Sequence, residues 1–422
     1  ASNLRSFDTT SDRGDWTGAN NDAFNAFLSA GQQADMSARA DKTVMDVIGW
    51  NVVPTVASWN VDFGDSWSDD GAWSSSSGMA PNGIDDTAIF PQGSPFAFVR
   101  SVTVDAPKVI GTMSISGFTP YVIGGATVTF DVSSGSAQLS AGGGGLTQIN
   151  APVTLNDDLA IFADSSTAVY VLSSFNAAGH SIVKSGAGVV LFQNLRANNL
   201  TVTAGAVGIF PKNASNDPSG TSVLKTLSIT GGVFDLTNNA LVVDYTGGSP
   251  IATIRQYLHD GKLSSGSATT TAGLGYGEAS HILGAGGGMF AGQSVDGTAV
   301  LVKFTYFGDA DLDGDADGVD IGTWATNFTG ELGGAGTKLW TEGDWDYDGD
   351  VDGVDAGRWA QAFTGELGGG GLGSVVVDDP NIAPAAAAIL RGMGITVVPE
   401  PAAMLGICLL SQIVRRRRRH RS

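Results

Sequence analysis

The sequence predicts a mainly β chain followed by a small helical module built on a duplicated acidic loop. Three observations carry this. Between residues 58 and 246, short runs alternate apolar and polar side chains, with Gly, Asn and Ser between the runs and no helical pattern among them. Sixty glycines stand beside 42% apolar and only 15% charged residues, which suits many short strands joined by tight turns and excludes a disordered chain. A twelve-residue acidic phrase occurs twice, D-A-D-L-D-G-D-A-D-G-V-D at 309–320 and D-W-D-Y-D-G-D-V-D-G-V-D at 344–355.

The strand-like runs begin after a tryptophan-rich opening at Ser58 to Ser74 and the phrase P-N-G-I-D-D-T-A-I-F at Pro81 to Phe90. They are S-V-T-V from Ser101, T-M-S-I from Thr112, Y-V-I from Tyr121 and T-V-T-F-D-V from Thr127. Further runs cover 151–155, 168–172, 181–183, 188–192, 200–202, 206–209 and 227–236. Period-two patterning at this spacing fits a sandwich or stacked solenoid coils. The phrases I-V-K-S-G-A-G-V-V-L-F (182–192) and N-N-L-T-V-T-A-G-A-V-G-I (198–209) resemble the autotransporter-associated strand repeat, as does the opening. Over 58–246 the resemblance implies a right-handed parallel β-helix. Asp157, Asp158, Asp164 and Lys184 are scattered among its turns without the paired spacing a lyase or hydrolase site needs, so no catalytic residue is assigned.

The acidic phrases match the calcium-loop template, with oxygen ligands at positions 1, 3, 5, 7, 9 and 12 and Gly at 6. Those positions hold Asp309, Asp311, Asp313, Asp315, Asp317 and Asp320 around Gly314, then Asp344, Asp346, Asp348, Asp350, Asp352 and Asp355 around Gly349. Position 7 offers its backbone carbonyl, so Asp315 and Asp350 contribute through the main chain and not the carboxylate. Calcium is a hard cation that takes six to eight oxygens, and alternate residues of a tight loop can converge on it. Without a cation the like charges repel. Two Ca²⁺ ions are therefore expected, and a poorly ordered module without them.

A helical pattern follows each loop: Ile321, Trp324, Ala325, Phe328 and Ala356, Trp359, Ala360, Phe363. Each ends in the same words, F-T-G-E-L-G-G, at 328–334 and 363–369. No helical pattern precedes either loop. Duplicated loop–helix units with Asp at position 12 resemble a type I dockerin over about 308–370, an EF-hand-like module. The resemblance implies antiparallel packing of the two units and docking on a cohesin-like module, read partly through positions 10 and 11, here Gly318-Val319 and Gly353-Val354.

The remaining segments frame these two regions. Residues 1–54 form a lead-in with helical patterns at 22–30 and 37–48; the ending M-D-V-I-G-W at 45–50 resembles the last helix of secreted PEP-CTERM metallopeptidases. That resemblance implies a catalytic domain upstream of Ala1, removed by processing or truncation. The histidines at 180, 259, 281 and 420 are far apart and give no zinc spacing. Residues 247–307 form a joint, with a short helix at 251–261 and the strand A-V-L-V-K-F-T-Y-F (299–307) running straight into the first loop, as a rigid junction would. Residues 371–397 are a linker with a helical turn at 385–391.

The tail 398–422 carries P-E-P (399–401), an apolar stretch (402–414) and six arginines. It resembles the PEP-CTERM sorting signal, which implies export, recognition by an exosortase-type membrane enzyme and membrane contact only through this tail before processing. The net charge is −20; without the six tail arginines it is −26, which repels nucleic acid. The one cysteine, Cys408, leaves no internal disulfide. Together these features point to an exported calcium-binding β-solenoid protein of structural or adhesive type. Its expected place is the surface or matrix of a Gram-negative-type bacterium, with a surface polysaccharide or a cohesin-like module as partner. The alternatives are the accessory region of a secreted metallopeptidase and a cohesin-docking component of polysaccharide breakdown.

Overall fold

The computed structural model describes residues 53–93, 99–332, 336–365, 376–377 and 382–398. The helices read at 22–30 and 37–48 and the sorting tail beyond Val398 lie outside the described residues. The chain is mainly β with long parallel sheets, and it divides into two compact units after Asn176.

In the first unit the chain makes successive passes of three strands. One pass is Thr112–Ser116, Tyr121–Gly125 and Val128–Phe130; the next is Ala137–Gly142, Leu146–Ile149 and Val153–Leu155. Each strand pairs in parallel with its counterpart one pass on, giving three sheets. The register stacks like on like. Ala88, Met113, Leu139 and Ile161 form one buried column; Val102, Ile123, Ile149 and Val171 form a second; Ile110, Phe130 and Leu155 form a third. Alternation is what makes this possible, because every second side chain of a strand points to the same face.

The tryptophan-rich opening closes the start of this unit. Val56–Trp59 pairs in parallel with Thr87–Phe90 and antiparallel with Trp73–Ser75. Trp59, Trp67, Trp73, Phe90 and Tyr121 are buried and meet edge-on or tilted at centroid separations of 5.0 to 6.3 Å. Large aromatic area at the end of a stack keeps water from the first exposed rung.

In the second unit Ala177–Ser185 belongs to a longer strand and pairs in parallel with Arg196–Val202, then Ser222–Ile229, then Leu241–Asp244. A second parallel sheet runs Val189–Phe192, Gly205–Ile209, Gly232–Asp235, Leu263–Ser264. Lys184 is fully buried, and its ammonium donates to the carbonyls of Ser185, Gly186, Gly188 and Ala204 at 2.8 to 3.2 Å, which cross-links two turns. The run read as one strand at 227–236 is two, broken at Thr230-Gly231, where the chain turns a corner between sheets.

The parallel order stops after Leu241–Asp244. This strand pairs antiparallel with Ala299–Tyr306, which pairs antiparallel with Ala272–Glu278, the last strand of the sheet. The strand at 272–278, A-G-L-G-Y-G-E, had no counterpart in the sequence reading, and neither did Ala137–Gly142. Both are rich in Ala and Gly, so alternation is hard to see in them. The helices at Ile251–His259 and Pro384–Gly392 match the expected segments. Among the described residues no helix is long and apolar enough to cross a membrane.

Candidate metal centre

The two acidic loops fold alike. A helix leaves each, Gly318–Asn327 from the first and Gly353–Ala362 from the second. The position-9 aspartate caps each: Asp317 accepts from the Val319 N–H and Asp352 from the Val354 N–H, both at 2.7 Å. The position-12 carboxylate reaches back across the loop. Asp320 accepts from the N–H groups of Ala310 (2.8 Å) and Asp317 (2.7 Å); Asp355 accepts from Trp345 (2.7 Å) and Asp352 (2.9 Å). These are capping boxes built from Asp alone, and an anion in the first turn is favoured by the helix dipole. Gly314 and Gly349 at position 6 have φ of 111° and 93°, the left-handed region in which a side chain is strained.

The repeats hold each other by exchanged bonds. The Trp324 indole of the first helix donates to the Asp352 carbonyl of the second loop (2.8 Å), and Trp359 of the second helix donates to the Asp317 carbonyl of the first (2.9 Å). Thr329, after the first helix, accepts from the Val351 N–H through its hydroxyl; Thr364, after the second, accepts from the Ala316 N–H, both at 2.9 Å. This gives the repeated F-T-G its role: each threonine braces position 8 of the other loop. The repetition is visible in the sequence; the exchange is not, because only the fold brings the threonines to the opposite loops.

The carboxylates converge in part. One oxygen from each of Asp309, Asp311 and Asp320 lies within 4.8 Å of the others, and likewise for Asp344, Asp346 and Asp355. Oxygens around an ion at the 2.3–2.6 Å calcium distance are at most about 5 Å apart. Asp315 and Asp350 form further triads with Asp317 and Asp320, and with Asp352 and Asp355. The Asp350 carboxylate also accepts from the Leu332 N–H at 2.8 Å. Asp313 and Asp348, at position 5, stand outside the triads; each accepts from the N–H two residues on, at 3.0 Å.

Burial dominates the electrostatics. It pushes Asp309 up to about 6, Asp320 up to about 8, Asp344 up to about 8 and Asp355 up to about 7, with neighbouring carboxylates adding to the rise. Asp311, Asp346 and Asp350 are raised for the same reason. Asp344 is fully buried, and its Oδ1 has no hydrogen-bond partner; Asp350 Oδ1 is in the same condition. An orphaned buried carboxylate oxygen costs stability, and a cation would satisfy it. The donor set is oxygen only, with neither His nor Cys, which suits a hard divalent cation and not zinc or copper. The residues present therefore fit such an ion. Asp309, Asp311 and Asp320 would hold one and Asp344, Asp346 and Asp355 another, and its chemistry would be charge neutralisation.

The scattered residues of the strand region serve local structure. The Asp164 carboxylate accepts from Gly143 N–H, Ser166 N–H and the Thr167 hydroxyl, which hold it down at about 2. Asp157 accepts from the Val132 N–H at 2.8 Å. His259 lies 3.2 Å from the Asp260 carboxylate. Comparison with protein-family models, with curated proteins and with solved structures finds no match to this chain.

Proposed function

We propose that this chain is an exported β-solenoid protein of the cell surface or extracellular matrix, structural or adhesive, whose acidic module is dockerin-like and binds two Ca²⁺ ions. The observation that carries the reading is the twofold recurrence of one cradle: buried carboxylates at positions 1 and 12, capped helices and, at Asp344, an oxygen with no protein partner. The three-strand passes support a parallel β-helix, and the usual handedness of parallel crossovers makes it right-handed. Export, and processing by an exosortase-type enzyme, rest on the tail at 398–422. The test is calcium titration of the full chain by calorimetry. Uptake of two ions is expected, and of one in Asp344→Asn; no uptake would refute the reading.

A second reading, docking on a cohesin-like module, is favoured by one observation. Val319 and Val354, at position 11 of each loop, are 64% and 53% exposed. Paired exposed apolar residues at equivalent positions suit a partner that reads either repeat. Pull-down of the full chain by a cohesin panel, with calcium and with EGTA, tests it; capture in neither condition would exclude it for that panel.

A further inference from the structure

The acidic module is packed on the last strand of the sheet, and the packing runs through the loops themselves. All six residues of 272–277 are buried, although among the described residues the strand has a ladder partner on one side only, Ala299–Tyr306. The helices at Ile251–His259 and Ala279–Ile282 pack on it in part, and the module covers its glycine face. A Cβ placed at Gly273 would lie 2.9 Å from the Phe307 ring; at Gly275, 2.6 Å from Leu312 and 2.9 Å from the Trp340 indole nitrogen; at Gly277, 2.6 Å from the Thr341 methyl. Three alternate glycines thus give a face without side chains, and the module seats directly against the backbone.

The two loops are tied to this strand pair at equivalent points. Position 4 is Leu312 in the first loop and Tyr347 in the second, both left-handed with φ of 59° and 69°. Such a conformation strains a non-glycine residue and needs outside support. Lys303, on Ala299–Tyr306, donates to the Leu312 carbonyl at 2.7 Å, and the Tyr347 hydroxyl donates to the Leu274 carbonyl at 2.8 Å. Position 1 is tied as well: the Asp309 carbonyl accepts from the Trp340 indole at 2.5 Å, and the Asp309 carboxylate accepts from the Thr305 hydroxyl. Trp340 stacks on Tyr347 at 5.7 Å, which joins the two loops over the glycine strand.

We propose that the cation-loaded module is the closing cap of the sheet, and that withdrawal of the ion uncovers the strand at 272–278. This rests on the calcium reading and goes beyond it, because it couples ion binding to order outside the loops. Coupling of this kind is reciprocal: if the ion stabilises the seat, a damaged seat must weaken the ion.

Hydrogen exchange of the full chain, in calcium and in EGTA, reads the first direction. EGTA is expected to raise exchange at least about 10-fold at 272–278 together with 309–355, and to leave 112–116 and 137–142 unchanged. Deprotection of 309–355 with 272–278 still protected would overturn the coupling while leaving the calcium reading intact. An absence of calorimetric uptake would overturn both. Gly275→Ala, which is no ligand, reads the reverse direction; its calcium affinity is expected to fall at least about 10-fold. Gly248→Ala, where a Cβ meets nothing within 4 Å, is expected to keep the parent affinity. Equal affinity in Gly275→Ala and the parent would overturn the proposal.

Discussion

Asp344 and Lys184 are both fully buried ionisable groups, and their surroundings assign them opposite fates. Lys184 has four carbonyl acceptors within 3.2 Å, so its charge is answered by the chain itself. Burial nevertheless pulls its ammonium down to about 8. Below that pH both folded and unfolded chains hold the proton. Between about 8 and the ordinary lysine value of 10.5 the unfolded chain holds a proton that the folded one has lost, so stability rises with pH there. Lys184→Met is expected to remove that rise and to cost about 2–4 kcal/mol at pH 7, since it orphans buried carbonyls. Urea unfolding at pH 7 and pH 10 checks both; an unchanged midpoint at pH 7 would show that the cross-link contributes nothing. Asp344 is answered by no atom of the chain on Oδ1, which is why its partner is sought outside the protein. The candidate carboxylates could be picked out at this scale because Asp and Gly recur in one register in both loops. What was not legible is which carboxylates converge. The template treats positions 3 and 5 alike, yet Asp311 and Asp346 join the triads while Asp313 and Asp348 cap their own loops.

At the scale of elements, the helix-and-loop units are braced by exchange. Each threonine of F-T-G holds position 8 of the opposite loop, and each helix tryptophan holds position 9. A lesion in one repeat should therefore be felt in the other. Thr329→Val removes a hydroxyl from the first repeat and unpairs the Val351 N–H of the second loop. It is expected to cost about 1 kcal/mol and to weaken calcium uptake at the second loop more than at the first. Titration of Thr329→Val in the Asp320→Asn and Asp355→Asn backgrounds separates the loops; equal weakening would contradict the exchange. Strands were readable at many runs where Val, Ile or Leu alternate, as at Thr112–Ser116 or Tyr121–Gly125, but not at Leu159–Ala163, whose Leu159 and Ile161 alternate as well. It was unreadable at Ala272–Glu278, because the glycines there answer to a neighbour that approaches the backbone and not to the strand's own propensity. The corner at Thr230-Gly231 was missed because apolar residues continue on both sides of it.

At the level of the whole molecule, the chain divides into two compact units and the acidic loops belong to the second. The columns of the first unit, such as Val102, Ile123, Ile149 and Val171, are apolar and contain none of the loop aspartates. Removing the ion should thus leave these strands in place while the module loosens. In EGTA, limited proteolysis is expected to cut within 309–355 and to spare 100–171. Early cleavage in 100–171 would show that the first unit also depends on the ion. The mainly β character was legible in the sequence, because alternation and glycine spacing reflect burial directly. How the acidic module seats on the strand at 272–278 was not, because it rests on three glycines and two aromatic rings far apart in the chain.

Two cradles of buried carboxylates that each take a divalent cation would owe their order to it. Calorimetric titration of the full chain with calcium tests this most directly. Two ions per chain are expected, with uptake at one loop lost in Asp320→Asn and at the other in Asp355→Asn. Absence of heat and of stoichiometric uptake at millimolar calcium would contradict it.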